Sequence, residues 1–122
     1  MIKTEPLLSV TFFMTQSGNE PVREWLRAQE TDYKKSIGED IKLIQLCWPL
    51  GMPLVKKMET DLWEARSNLA HGNISRVFFT IHGSQMVLLH GFIKKTQKTP
   101  KKEIDQARRH KNEWFKEVKN NE

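Results

Sequence analysis

Apolar positions change their period along this 122-residue chain, and the changes mark its elements. Leu8 to Met14 alternates imperfectly and is rich in β-branched and aromatic residues, which predicts a first strand. Ser17-Gly18-Asn19 breaks it. Glu20-Pro21 then opens a helix, with Asn19 or Glu20 as N-cap and Pro21 in the first turn, where its missing N–H does no harm. Val22, Trp25 and Leu26, at i, i+3 and i+4, give that helix one apolar face. A second helix follows Thr31-Asp32, with Tyr33, Ile37, Ile41 and Ile44 on its inner side. Gly38 weakens it slightly, and Pro49, Gly51 and Pro53 end it.

From Leu62 the period shortens to that of strands. Leu62–Ser67, Ile74–His82 and Gln85–Ile93 read as three strands joined by the turns Asn68–Asn73 and His82-Gly83-Ser84. Connections this short imply antiparallel neighbours in a meander. Val87 to Leu89 is continuously apolar, as expected of a strand covered on both faces. Thr99-Pro100 opens a last helix with Ile104, Ala107, Trp114, Phe115 and Val118 as its apolar positions, a stripe wide enough to dock on its own sheet. There is no internal repeat and no linker. The order β-α-α-β-β-β-α predicts an α+β fold in one domain over 1–122. Its small antiparallel, partly mixed sheet would carry the two N-terminal helices on one face, with a C-terminal helix to follow.

Composition narrows the classes. At 38% apolar and 29% charged residues the chain reads as a soluble globular protein. No apolar run approaches the ~20 residues of a membrane span, and the start lacks a secretory pattern, so a cytoplasmic location is expected. The single cysteine, Cys47, stands among Leu46, Trp48 and Leu50, where a buried, inert thiol is expected. Charge is unevenly placed. Residues 1–93 hold ten Lys/Arg against ten Asp/Glu, and residues 94–122 hold ten against five, so the whole formal +5 lies in the last quarter. A concentrated basic surface attracts polyanions.

Candidate chemistry follows the strand ends. Arg66 closes one strand and Arg76 opens the next, so both fall at one end of the sheet. Their planar forks suit phosphate oxygens and stay protonated at any working pH. The competing reading pairs them internally with Glu64, Asp61 or Glu59. Lys94-Lys95 and Lys98 follow the last strand, and Lys101-Lys102 start the helix. There they oppose the helix dipole unless an anion is bound. Lys56-Lys57 form another cationic pair ahead of the sheet, and Phe92 stands near the cations, where it could stack on a base. Of His71, His82, His90 and His110, no pair has zinc-like spacing. His90 reads as a core residue, and His71 and His82 as turn residues. No nucleophile elbow, phosphate-binding glycine loop or carboxylate pair is present, and no metal or cofactor is expected.

The series Pro21-Val22-Arg23-Glu24-Trp25-Leu26, Ile37–Ile41, Trp48–Pro53, Leu62–Arg66 and Leu89–Pro100 resembles the phage-derived Gp49-like, HigB-type branch of the RelE/ParE toxin superfamily, from residue 8 to residue 115. The resemblance implies a RelE-like fold and the toxin of a type II toxin–antitoxin pair. It further implies an mRNA endonuclease acting on translated messages at the ribosome, or, on the ParE side, a gyrase-directed toxin. The partner implied is a small helix-turn-helix antitoxin, through which alone operator DNA would be reached. The implied chemistry is metal-independent attack of the 2′-hydroxyl on the adjacent phosphate, with cations holding the transition-state charge. By position in the motifs, Arg66, Arg76, Lys94 and Lys95 are the implied catalytic set. Lys56, Lys57, Phe92, Lys98, Lys101 and Lys102 are the implied RNA contacts. Relatives place a tyrosine or histidine near the C-terminus as acid or base. Here the only tyrosine is Tyr33, which leaves His110 or a lysine of depressed pKa. A non-catalytic nucleic-acid-binding module is the alternative from another class.

Overall fold

The computed structural model describes residues 5–94 and 98–121. Its elements run β1 (Ser9–Phe12), α1 (Pro21–Arg27), α2 (Thr31–Cys47), β2 (Val55–Glu59), β3 (Leu62–Asn68), β4 (Ile74–His82), β5 (Gln85–Lys94) and α3 (Lys101–Asn120). The strands form one sheet in the order β1-β5-β4-β3-β2. β1 joins β5 in parallel, and every other pairing is antiparallel. The α+β architecture and the β3–β4–β5 meander agree with the sequence pattern.

One element was not foreseen. Val55–Glu59 is a fifth strand, between α2 and β3, so Lys56 and Lys57 lie within the sheet and not ahead of it. Its pattern hid it, because only Val55 is buried and two of its five side chains are lysines. An edge strand tolerates this, since charged side chains there discourage pairing with other chains. Cys47 is a second correction. It ends α2 exposed rather than buried, while Ile37, Ile41 and Ile44 carry the inner face of that helix.

The sheet is covered on both sides. α1 and α2 pack Val22, Ile37, Ile41 and Ile44 against Val55, Ala65, Val77, Phe79, Met86 and Leu88. α3 lays Ala107, with Ile104 and Trp114, over Leu62, Phe78, Val87 and Leu89 on the opposite face. Residues Ile74 to Thr80 of β4 are all buried, as a central strand between two layers requires. No described helix is long and apolar enough to cross a membrane.

A bulge in β5 sets which side chains reach the α3 face. Phe78 pairs with His90 but Phe79 with Leu88, leaving Leu89 extra. Before it, Val87 and Leu89 face α3; after it, His90, Phe92 and Lys94 do. Gly91 consequently turns toward α1, where a Cβ would lie 2.6 Å from Trp25 Cε3. A glycine is needed there because the indole lies flat on the backbone. Gly91→Ala is expected to cost about 1–3 kcal/mol by overpacking. Thermal or urea unfolding of the variant measures it, and a cost that disappears in the Trp25→Leu background identifies the indole as the cause.

Candidate functional site

Register brings three cations to one end of the α3 face. Arg66 of β3 stands opposite Arg76 of β4, Arg76 opposite Phe92 of β5, and Ile74 opposite Lys94. Directly opposed residues share a face, and so do residues two apart along a strand. Arg66, Arg76, Phe92 and Lys94 therefore look the same way. Glu64, two residues before Arg66, sits among them fully buried.

Glu64 is the hub of the cluster. Arg76 Nη1 donates to its Oε1 at 2.7 Å, and Thr99 Oγ1 donates to Oε2 at 2.7 Å. Arg66 Nε lies 3.7 Å from Oε1. Two arginines opposed across strands would repel, and the shared carboxylate is what allows the pair. The internal pairing weighed from the sequence is thus realised with Glu64. Glu59 instead binds Arg108 of α3, which holds its carboxyl below the ordinary range.

The two arginines are not equivalent. Arg76 is 1% exposed and lies beneath the surface, so it is not the rim residue the sequence suggested. Arg66 keeps its side chain 17% exposed. It also lines an open cleft of about 150 Å³ with Pro53, Asn68 and Ile74. Lys94 Nζ is shielded from solvent and has no hydrogen-bond partner among the described residues. Burial pushes its pKa below the usual lysine value, Arg76 and Arg66 push it further, and Glu64 opposes them.

The remaining candidates separate. Lys56 stands opposite Glu64 and so shares the face of the cluster. Lys57 stands opposite Trp63 on the other face, its Nζ 5.9 Å from that ring. Lys98, Lys101 and Lys102 are exposed where the chain enters α3. Phe92 stacks on Phe78 and His90 and is half-committed to the core. Lys95 lies outside the described residues. Among the described residues no group of three or more His, Cys, Asp or Glu is placed to hold a metal ion.

Two histidines that sequence reasoning left open have defined partners. His110 is buried against Phe13. Its Nδ1 donates to Leu89 O at 2.7 Å, and Gln106 Nε2 lies 2.6 Å from Nε2. Desolvation lowers its pKa. With both nitrogens engaged, it is a packing residue and a poor proton carrier. His90 was read as a core residue, and its half-buried ring does stack on both Phe78 and Phe92, which also stack on each other. Its link to α3 was not visible from spacing: Nε2 lies 2.8 Å from Glu103 Oε2. Four residues separate His90 from Lys94, about 13 Å along a strand, so the two do not serve one reacting atom. The Glu103 contact instead joins the Thr99–Glu64 bond in pinning the start of α3 to the sheet.

Removing one member of the buried pair should be costlier than removing both. Glu64→Ala removes the buried carboxylate that Arg76 is bonded to, for an expected loss of about 3–5 kcal/mol, whereas Glu64→Leu with Arg76→Met should lose less. Chemical denaturation of the three proteins measures the difference. His110 gives a pH signature. Its folded pKa lies below the unfolded value near 6.5, so the unfolded chain takes up the proton first as pH falls. Stability is therefore lost as pH falls through the ordinary histidine range and levels off once the folded imidazole is also protonated. His110→Gln should flatten that slope while lowering stability at pH 8 by about 1–2 kcal/mol, as unfolding curves at several pH values will show.

No curated protein matches the chain. The sequence profile of the phage-derived Gp49-like proteins (DUF891) matches residues 24–112, from α1 through most of α3 and including every described member of the cation cluster. The chain belongs to the Gp49-like family of phage-derived proteins.

Proposed function

We propose that this protein is the toxin of a type II toxin–antitoxin pair in the RelE/ParE superfamily, and that it cleaves translated mRNA on the ribosome. The observation that carries the reading is the gathering of Arg66, Arg76 and Lys94 around one carboxylate on a single sheet face. Membership of the Gp49-like family is compatible with it.

The reaction begins with the ribose 2′-hydroxyl. Burial and its cationic neighbours lower the Lys94 pKa; in its neutral form Lys94 accepts the proton, and the 2′-oxygen attacks the adjacent phosphorus. The bond to the 5′-oxygen breaks, that oxygen takes a proton from water, the hydroxide so formed takes back the proton from Lys94, and a 2′,3′-cyclic phosphate remains. Arg66, the exposed arginine beside the open cleft, binds the phosphate oxygens as their charge grows. Arg76 acts from below: fixed by Glu64, it keeps its field on the site and helps lower the Lys94 pKa. Lys56, Lys98, Lys101 and Lys102 hold the RNA backbone, and the ribosome supplies much of the alignment, which alone can lower a barrier by several kcal/mol. A helix-turn-helix antitoxin restrains the toxin in the cytoplasm.

Arg76→Ala is a poor test because it takes from buried Glu64 its shortest ion pair and so disturbs the fold, and Lys94 is the position to change. Lys94→Met and Lys94→Arg are expected to fold, and both to abolish growth arrest and new 5′ ends in translated messages after induction. Loss in the arginine variant is the sharper result, since arginine keeps the charge but cannot give up its proton. The wild-type cleavage rate should rise with pH through the lowered lysine pKa and then level. Cuts that persist in both variants would overturn the role of Lys94. Arrest with intact messages would overturn RNA cleavage and point to gyrase.

A further inference from the structure

On the side of the sheet away from the cation cluster, a groove of about 270 Å³ runs between α1 and α2 at the end of β1. Phe12 and Leu26 give it an apolar floor, and Arg23, Arg27 and Lys34 form its rim. Its sixth lining residue is Gly38, in the middle of α2. Lys34 and Gly38 are four residues apart, as are Arg23 and Arg27, so each helix turns one continuous edge toward the groove.

Gly38 is not required by the fold. A Cβ added there would meet nothing within 4 Å, and the residue has no positive φ to accommodate. A mid-helix glycine costs about 1 kcal/mol relative to alanine, and no packing contact of this chain offsets that cost. What the missing side chain does provide is open floor in the groove. The rim is as one-sided as the floor is bare. Three of the six lining residues are cations and none is acidic. Arg23 is bound to Glu20 at 2.9 Å and lies 4.3 Å over the Phe12 ring, which fixes it as a wall. Arg27 and Lys34 are exposed and form no ion pair among the described residues.

From this geometry we infer that the α1–α2 groove is the docking site for an acidic amphipathic helix of the antitoxin, one apolar side chain of which lies over Gly38 while flanking carboxylates meet Arg27 and Lys34. The inference rests on the toxin–antitoxin reading above and adds to it the surface and the chemistry of the partner segment. An apolar floor between parallel cationic edges suits a helix laid in a groove, with anchors at i, i+3 or i+4. The exposed charges set encounter rate and register more than they set affinity.

The probe is a small helix-turn-helix protein produced as the candidate antitoxin, titrated by calorimetry against this chain and its variants. Gly38→Leu should keep growth arrest and match or slightly exceed wild-type thermal stability, because the added side chain enters empty space far from Lys94 and leucine favours the helix. It should weaken binding by about thirtyfold or more, as for the loss of one buried anchor, and escape neutralisation in cells. Arg27→Glu with Lys34→Glu should weaken binding mainly through a slower association rate and remove most of its salt dependence. Binding by both variants within about twofold of wild type would overturn the assignment of the groove. A wild-type protein that does not bind the candidate antitoxin at all would overturn the antitoxin reading, and the groove's occupant with it. Growth arrest is read separately, so a failure of the RNA-cleavage reading leaves the binding result standing.

Discussion

The bond between Glu64 and Arg76 is the constraint around which this molecule is arranged. Both side chains are almost wholly withdrawn from water, in a chain that exposes most of its other charges. A buried ion pair is not in itself a strong source of stability, because desolvation of two charges consumes much of their attraction. What it supplies here is position. Arg76 and Arg66 could not stand opposite each other on neighbouring strands without a shared counter-ion, and Thr99 could not anchor the start of α3 without an acceptor beneath it. One carboxylate thus ties two strands and the start of a helix to a single charge arrangement.

That arrangement is possible because the sheet divides its labour by face. Side chains of the α1–α2 side are almost entirely apolar at the centre, with Trp48, Trp63 and Phe79 in mutual contact. The α3 side begins equally apolar around Leu62, Phe78 and Leu89, then becomes ionic toward the end of β5. Salt bridges at its periphery, such as Arg108 to Glu59, fasten the middle of α3 to the edge strand. The ionic end is therefore held from two directions, and the low solvent access that depresses the Lys94 pKa follows from that double fastening.

Much of the architecture was legible in the sequence because it rests on period. The Ile37–Ile41–Ile44 spacing, the run Val87–Leu89 and the turn at His82–Ser84 each have one physical solution, and β4 spans the residues its pattern marks out. Strand β2 was hidden because an edge strand buries one residue and can be lysine-rich without cost. The site was legible as a set of cations and illegible as a geometry. Spacing put Arg66 and Arg76 at one sheet end, but which arginine is buried depends on the placement of α3, and α3 is fixed by Thr99 and His90 contacts across more than ten residues of chain. Cys47 misled for the converse reason: its apolar neighbours Leu46 and Trp48 are half-buried while the thiol itself turns outward at the helix end.

Strand β5 must meet two demands that one alternation cannot meet. Its first half needs Val87 and Leu89 under α3, and its second half needs Lys94 on that same side, an odd number of residues away. The extra residue at Leu89 changes the phase of the strand between them. Packing and charge can therefore vary independently on either side of that point, as two modules spliced into one element. Between the splice and the lysine, however, the number of residues matters as much as their kind. A single insertion or deletion there would carry the ammonium through the sheet to the face of α1 and α2, leaving every side chain in the sequence and none of the electrostatics in place.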